Sequence, residues 1–155
     1  MDKQLRRILK NDIPALKMVL DSSGLFPSDL LDDMISGYLN DPSSTDIWFT
    51  ALVDDTPIAI GYCAPERLTE GTYNLYAIAV AKIHQGTGIG TEMMTYIEGL
   101  LRKKKGRILI VETSGKADFE RTRQFYRTCD YTEQAVIPEF YDEGDDKVVF
   151  WKKLG

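Results

Sequence analysis

The sequence predicts one α/β domain spanning residues 1–155, a mixed sheet with helices on both faces. Three observations lead there. The runs Tyr73–Val80 and Ile108–Val111 are almost continuously apolar or aromatic, as strands covered on both faces are. Segments with helical spacing are interleaved with them, so the middle of the chain reads strand, loop, helix, strand, helix. At 155 residues the chain can bury a sizeable core, and no repeat, low-complexity tract or long linker divides it.

In order, Leu5 to Leu9 is a short strand candidate. Asn11 or Asp12 can cap the next helix, with Pro14 in its first turn, where a missing N–H costs little. Leu16, Val19 and Leu20 form its apolar stripe, and Ser22-Ser23-Gly24 stops it. A second helix starts near Pro27-Ser28, carries Leu30, Leu31, Met34, Ile35 and Tyr38, and ends before Asp41-Pro42. Ile47 to Val53 and Ile58 to Tyr62 make a hairpin across Asp54-Asp55-Thr56. After the strand Tyr73–Val80 comes a helix from Thr91 to Lys103, with Met93, Met94, Ile97, Leu100 and Leu101 on its apolar face. Arg102 to Lys105 with Gly106 form its basic, glycine-closed C-terminus. Ile108 to Glu112 is a buried strand. A helix from Ala117 to Thr128 has Phe119, Thr122, Tyr126 and Cys129 along one face. The tail is a hairpin: Glu133 to Tyr141, a turn at Gly144-Asp145-Asp146, then Lys147 to Trp151.

Composition narrows the function classes. Hydrophobic residues are 43% and charged residues 28%, the balance of a soluble globular chain. No apolar stretch approaches the roughly 20 residues of a membrane span, and Met1 to Arg7 has no apolar region behind its basic residues, so a cytoplasmic protein is expected. Cys63 and Cys129 make no disulfide framework, His84 is the sole histidine, and no spacing asks for a metal. A net charge of −5 opposes non-specific nucleic-acid binding and suits an amine-bearing partner better.

The chemistry gathers in the loop between Val80 and Thr91. Its segment Gln85-Gly86-Thr87-Gly88-Ile89-Gly90 has three alternate glycines, so several N–H groups can turn toward one anion, and the following helix adds its unpaired N–H groups and positive dipole end. A P-loop would need Gly-Lys-Ser/Thr where this chain has Gly90-Thr91-Glu92, and a dinucleotide fingerprint reads G-x-G-x-x-G. The pattern met by Gln85, Gly88 and Gly90 is Gln/Arg-x-x-Gly-x-Gly/Ala. With the preceding strand at Ile78-Ala79-Val80, the strand Ile108 to Glu112, and Arg123-Gln124-Phe125-Tyr126 in the next helix, the sequence resembles the GNAT superfamily of N-acetyltransferases from about Tyr73 to Tyr131.

The resemblance implies a mostly antiparallel sheet with splayed central strands and acetyl-CoA as co-substrate. It assigns pantetheine pairing to the backbone of Ile78, Ala79 and Val80, and the pyrophosphate to Gln85, Gly86, Thr87, Gly88, Ile89, Gly90 and Thr91. Tyr126 falls at the family's general-acid position, facing the coenzyme sulfur. The chain departs from the family's habits at Phe119, Thr122 and Cys129-Asp130-Tyr131, where an asparagine, an alanine and Leu-Gly-Phe are usual.

Acetyl transfer to an amine also needs a base, because an amine with a pKa near ~10.4 is mostly protonated at neutral pH. Glu112, at a strand end, is the candidate, acting through water; Tyr76 and Glu66 are weaker alternatives for binding or orienting the amine. Phe26, Tyr76 and Tyr141 are candidate acceptor-binding residues. The expected partner is a small-molecule or peptide amine, with no nucleic acid and no membrane, and the protein a monomer or homodimer. A non-catalytic acyl-CoA-binding module and a nucleotide-phosphate binder are the alternatives.

Overall fold

The computed structural model describes residues 2–155. Strand β1 spans Lys3–Arg7, two residues earlier than the apolar pattern suggests. Its bounds come from pairing: Lys3 faces Val53 and Arg7 faces Phe49 of β2. Ile8 is buried beyond the ladder, whereas Leu9 is 57% exposed at the entry to a 3-10 turn, Lys10–Asp12.

Helix α1 spans Ile13–Ser23 and buries Leu16, Val19 and Leu20, as its stripe predicts, with Pro14 in the first turn. Asp12 stands at the cap position, but its side chain does not cap the helix. The carboxylate instead accepts from the Leu9 N–H at 2.7 Å and from both ends of the Arg6 guanidinium at 2.7 and 2.9 Å. The Arg6 hydrogen bond holds the Asp12 carboxyl below its usual range, against the opposing effect of burial.

After a 3-10 turn at Ser28–Leu30, helix α2 spans Leu31–Asn40 and buries Leu31 and Ile35. Leu30 and Met34, expected on the same stripe, remain 48% and 39% exposed. The Tyr38 hydroxyl donates to the Ile8 carbonyl at 2.8 Å.

Strands β2 (Ile47–Val53) and β3 (Thr56–Pro65) form the hairpin, joined by Asp54 and Asp55 at φ +49° and +66°. Two positive-φ residues match the right-handed twist of the strands, and Asp tolerates them. β3 exceeds the predicted Ile58–Tyr62 at both ends because its ladder runs from Thr56 opposite Val53 to Cys63 opposite Ile47.

Neighbouring residues of β2 point to opposite faces. Trp48 joins Ile8, Leu16, Leu20, Leu31, Ile35 and Ile60 in the core under α1 and α2. Phe49 meets Tyr96 of α3 (Ile89–Lys103), with ring centroids 5.7 Å apart. Helices therefore cover both faces. Phe49 lies opposite Gly61 in the ladder, and a Cβ at Gly61 would stand 2.3 Å from the ring. Gly61→Ala should lower stability by about 1–3 kcal/mol, measurable by urea unfolding; unchanged stability would mean that the ring moves aside freely.

The remaining strands are β4 (Thr72–Val80), β5 (Ile108–Ser114), β6 (Thr132–Asp142) and β7 (Asp145–Lys153). The order across the sheet is β1-β2-β3-β4-β5-β7-β6. β1–β2, β2–β3, β5–β7 and β6–β7 are antiparallel, and β4–β5 is parallel. The parallel ladder runs from Thr72 opposite Ile108 to Leu75 opposite Val111, although β4 continues to Val80 and β5 to Ser114. Two compact units divide the chain: one holds residues up to Pro65 and Tyr76–Ile97, the other Glu66–Leu75 and Glu98–Gly155.

Helix α4 spans Glu120–Thr128, after a 3-10 turn at Ala117–Phe119. The predicted stripe fails at Phe119, which is 42% exposed, and it overlooks Arg123. Arg123 is buried because its guanidinium donates to the Ser114 and Lys116 carbonyls at 2.7 and 2.8 Å and pairs with Glu120. The tail turn is shorter than predicted. Gly144 sits at φ +74°, while Asp145 and Asp146 already belong to β7. Asp145 accepts from the Ser114 hydroxyl, and the Asp146 backbone carbonyl accepts from the Gly115 N–H. No helix among the described residues is long and apolar enough to cross a membrane.

Candidate functional site

In the first unit, β4 leads directly into the glycine loop. A 3-10 turn, Lys82–His84, follows the strand; the Ala81 N–H bonds to Ile58 O, and the Lys82 N–H to the Ser22 hydroxyl. The Gln85 side chain turns back and donates to Val80 O at 3.0 Å, so it shapes the loop's first turn. The Thr87 hydroxyl donates to the His84 carbonyl. Gly86 and Gly88 hold φ +76° and +90°, which L residues adopt only under strain.

Glu92 makes the first bond of α3, to Gly88 O at 3.1 Å. The N–H groups of Ile89, Gly90 and Thr91 therefore precede the helical ladder. Those of Gly86, Thr87 and Gly88 have no backbone or side-chain partner among the described residues. A run of bare donors beside a positive helix end fits a diphosphate, which accepts several hydrogen bonds at once. Gly88→Ala meets no clash, since nothing lies within 4 Å of an added Cβ, but it keeps the φ penalty. The strain is about 1 kcal/mol, so coenzyme A affinity should fall roughly fivefold in calorimetric titration. Equal affinity would leave the loop's conformation irrelevant to binding.

Ile78, Ala79 and Val80 lie on the same unit's stretch of β4. Beside them is a cleft of about 350 Å³ lined by Leu25, Phe26, Met34, Tyr62, Tyr76 and Ala77. Two acceptor candidates, Phe26 and Tyr76, thus share one wall. Tyr62 was not singled out by sequence, since a strand tyrosine carries no motif. Its ring stacks on Trp48 at 4.2 Å and 6° and stands 5.4 Å from Tyr76. Burial, then the Asp46 carboxylate, pushes the Tyr62 phenol up from its usual value.

In the second unit, Tyr126 is 3% exposed, with its ring 5.5 Å from Phe150 and 6.2 Å from Tyr131. Its hydroxyl has no hydrogen-bond partner among the described residues. Burial, reinforced by Cys129 and Tyr141, pushes its pKa well above the ordinary phenol value. Glu112 is half-buried on β5 and pairs with Lys147 of β7 at 2.9 Å. Lys147 is the diagonal neighbour, since Glu112 faces Val149, and only the register reveals it. The Lys147 ammonium also lies 3.9 Å from the centre of the Phe140 ring.

The third acceptor candidate, Tyr141, belongs to this unit. From Ile137 opposite Lys147 the register jumps to Asp142 opposite Asp145, so residues 138–141 bulge out against Asp146 alone. Glu139, at φ +52°, donates its N–H to the Asp146 carboxylate at 3.0 Å. The Tyr141 phenol is pushed up by partial burial and then by Glu112 and Asp145. Electrostatics thereby tie Tyr141 to both proposed proton-transfer groups, Tyr126 and Glu112.

Glu66 accepts from the Asn74 amide at 3.1 Å in the second unit. Cys63 is fully buried, and burial pushes its thiol up to about 12, which makes it an unreactive nucleophile. Among the described residues, no group of three or more His, Cys, Asp or Glu side chains is placed to hold a metal ion.

Comparison with known proteins found no match among curated proteins. The profile of the acetyltransferase (GNAT) family matches residues 13–131. Among solved structures, the chain is similar to a protein from Desulfovibrio desulfuricans assigned to the GNAT acetyltransferases. The identity is 30% and the TM-score 0.92, covering 99% of this chain and 100% of that one. It shares its fold with the ribosomal-protein-S18-alanine N-acetyltransferase of Escherichia coli at 14% identity and TM-score 0.80, covering 99% and 95% of the two chains. An aminoglycoside 6'-N-acetyltransferase complexed with coenzyme A has the same fold at 17% identity and TM-score 0.71, covering 98% and 97%. A family match over most of the length, and a relative alike end to end, agree with the loop and the strand order: the chain belongs to the GNAT family of acetyltransferases.

Proposed function

We propose that the protein transfers an acetyl group from acetyl-CoA directly to a primary amine of a small molecule, amino acid or peptide. The observation that carries this reading is the row of unpartnered N–H groups from Gly86 to Thr91 at the head of α3. Acetyl-CoA, when bound, supplies a thioester whose C–S bond breaks as the carbonyl carbon bonds to the amine nitrogen. The Gly86–Thr91 donors hold the pyrophosphate, and Ile78, Ala79 and Val80 offer backbone to the pantetheine arm. Phe26 and Tyr76 contact the acceptor, as does Tyr141. Tyr126 gives its hydroxyl proton to the sulfur as the thiolate forms and regains it from solvent. Glu112 draws the amine's proton away through water, with Lys147 holding one carboxylate oxygen in place.

The test is release of free thiol from acetyl-CoA in the presence of an amine panel, with the product identified by mass. Coenzyme binding without thiol release for any amine would favour the non-catalytic module. Competition by ATP but not by coenzyme A would favour a nucleotide-phosphate binder. Glu112→Gln should lower kcat/KM by about tenfold or more and change its pH dependence; an unchanged profile would remove Glu112 from the base role.

A further inference from the structure

We propose that the acceptor carries a single ammonium on an aromatic or branched aliphatic arm, and that this arm is seated in the cleft between Leu25, Phe26, Met34, Tyr62 and Tyr76. The inference rests on the reading of the chain as an amine acetyltransferase and narrows its substrate class.

The cleft walls carry no charge. A polyamine seated here would lose water around its further ammonium groups with Asp46, beside the Tyr62 phenol, as the one carboxylate shown against the wall, and a carboxylate-bearing arm would find no cation among the lining residues. The walls are also apolar surface still in contact with water: Leu25 is 42% exposed, Met34 39% and Tyr76 50%. Apolar groups gathered around one concavity mark a place where a ligand removes them from solvent.

The aromatic wall is built before any ligand arrives. Trp48 is completely buried, Tyr62 stacks flat on it, and Tyr76 leans on Tyr62. Rings held in this way lose little freedom on binding, and their faces can receive an amine's positive charge. Met34, unbranched and polarizable, can adapt to arms of different shape. A volume of about 350 Å³ is near the lower end for small-molecule sites and suits one arm of phenyl or isobutyl size. A free amine and the first residue of a peptide can both present that chemistry.

The experiment compares 2-phenylethylamine, isoamylamine, a tripeptide beginning with phenylalanine, and spermidine as acceptors for the full chain with acetyl-CoA. At least one apolar-armed amine should exceed spermidine in kcat/KM by about tenfold or more. Whether the free amines or the tripeptide lead tells which source applies. Phe26→Ala and the exposed-site variant Leu25→Ala should each raise KM for the preferred amine about fivefold while moving kcat little. Spermidine as the better acceptor, or KM unmoved in both variants, would overturn the proposal. Should no amine be acetylated by protein that binds coenzyme A, the transferase reading fails, and the cleft is then decided by calorimetry on the coenzyme-loaded protein. Binding of 2-phenylethylamine weakened by Leu25→Ala supports the assignment; absence of binding overturns it.

Discussion

Tyr126→Phe is expected to lower kcat about 100-fold while leaving the affinity for coenzyme A nearly unchanged. The substitution removes one oxygen from a ring whose packing against Phe150 and Tyr131 stays the same, so the fold has no reason to change. The lost group is the hydroxyl of a residue that is 3% exposed, and a phenol so placed can give its proton to a forming thiolate.

The pH dependence supplies an independent check. Burial disfavours the phenolate, so the Tyr126 pKa lies above its ordinary value near ~10 and the proton stays in place at neutral and mildly alkaline pH. The rate should therefore rise as the amine loses its proton and show no fall from Tyr126 ionisation up to about pH 10. Stopped-flow or steady-state thiol release measures both effects. A wild-type kcat in Tyr126→Phe would remove the residue from the acid role.

Glu98→Ala is expected to cost about 3–5 kcal/mol of stability, which corresponds to a fall of roughly 10 °C in Tm for a chain of this size. Glu98 is a buried carboxylate on α3 that accepts from the Tyr131 hydroxyl at 2.7 Å and from the Lys152 ammonium at 3.0 Å. Lys152 also donates to Cys129 O at 3.0 Å. Truncation would leave a mostly buried ammonium without its counter-ion, held by the Cys129 carbonyl alone, and a phenol without its acceptor, and that penalty exceeds the worth of the pair itself. Glu98→Gln keeps an acceptor for Tyr131 and should cost less. Calorimetry of both variants tests the order; an unchanged Tm in Glu98→Ala would mean that water replaces the carboxylate.

This network was silent in the sequence. Glu98 occupies a helix whose apolar face reads correctly at Met93, Met94, Ile97 and Leu101, and one acid within it looks like a surface residue. Its partners lie 33 and 54 positions away, on the turn after α4 and on β7. The same holds for Arg123, whose burial on α4 no periodicity announces. A guanidinium is tolerated there only because two carbonyls at the end of β5 and just beyond it accept from it. Periodicity records which residues avoid water and cannot record which polar groups have found partners.

Local signals are legible where local sterics decide the outcome. The Asp54-Asp55 turn, the Gly24 stop and the glycine loop each depend on backbone conformations that few residues adopt, so the residue type declares them. Strand ends are not legible in the sequence where pairing sets them. β1 begins earlier because β2 offers a partner as far as Val53, and β7 takes in Asp145 and Asp146 because Asp142, Ser114 and Gly115 bond to them.

By itself the sequence determined the α/β order, the glycine loop between Val80 and Thr91, and the motif residues Arg123 to Tyr126. Each of these is written in a contiguous stretch, by alternation, helical spacing or glycine content. The tertiary structure alone decided that Tyr62 and Trp48 stack beside the cleft of Phe26 and Tyr76, that Lys147 pairs with Glu112, and that the register of β6 jumps between Ile137 and Asp142. Those pairings join residues far apart in the chain, and their energy depends on register and burial, which exist only once the strands have paired.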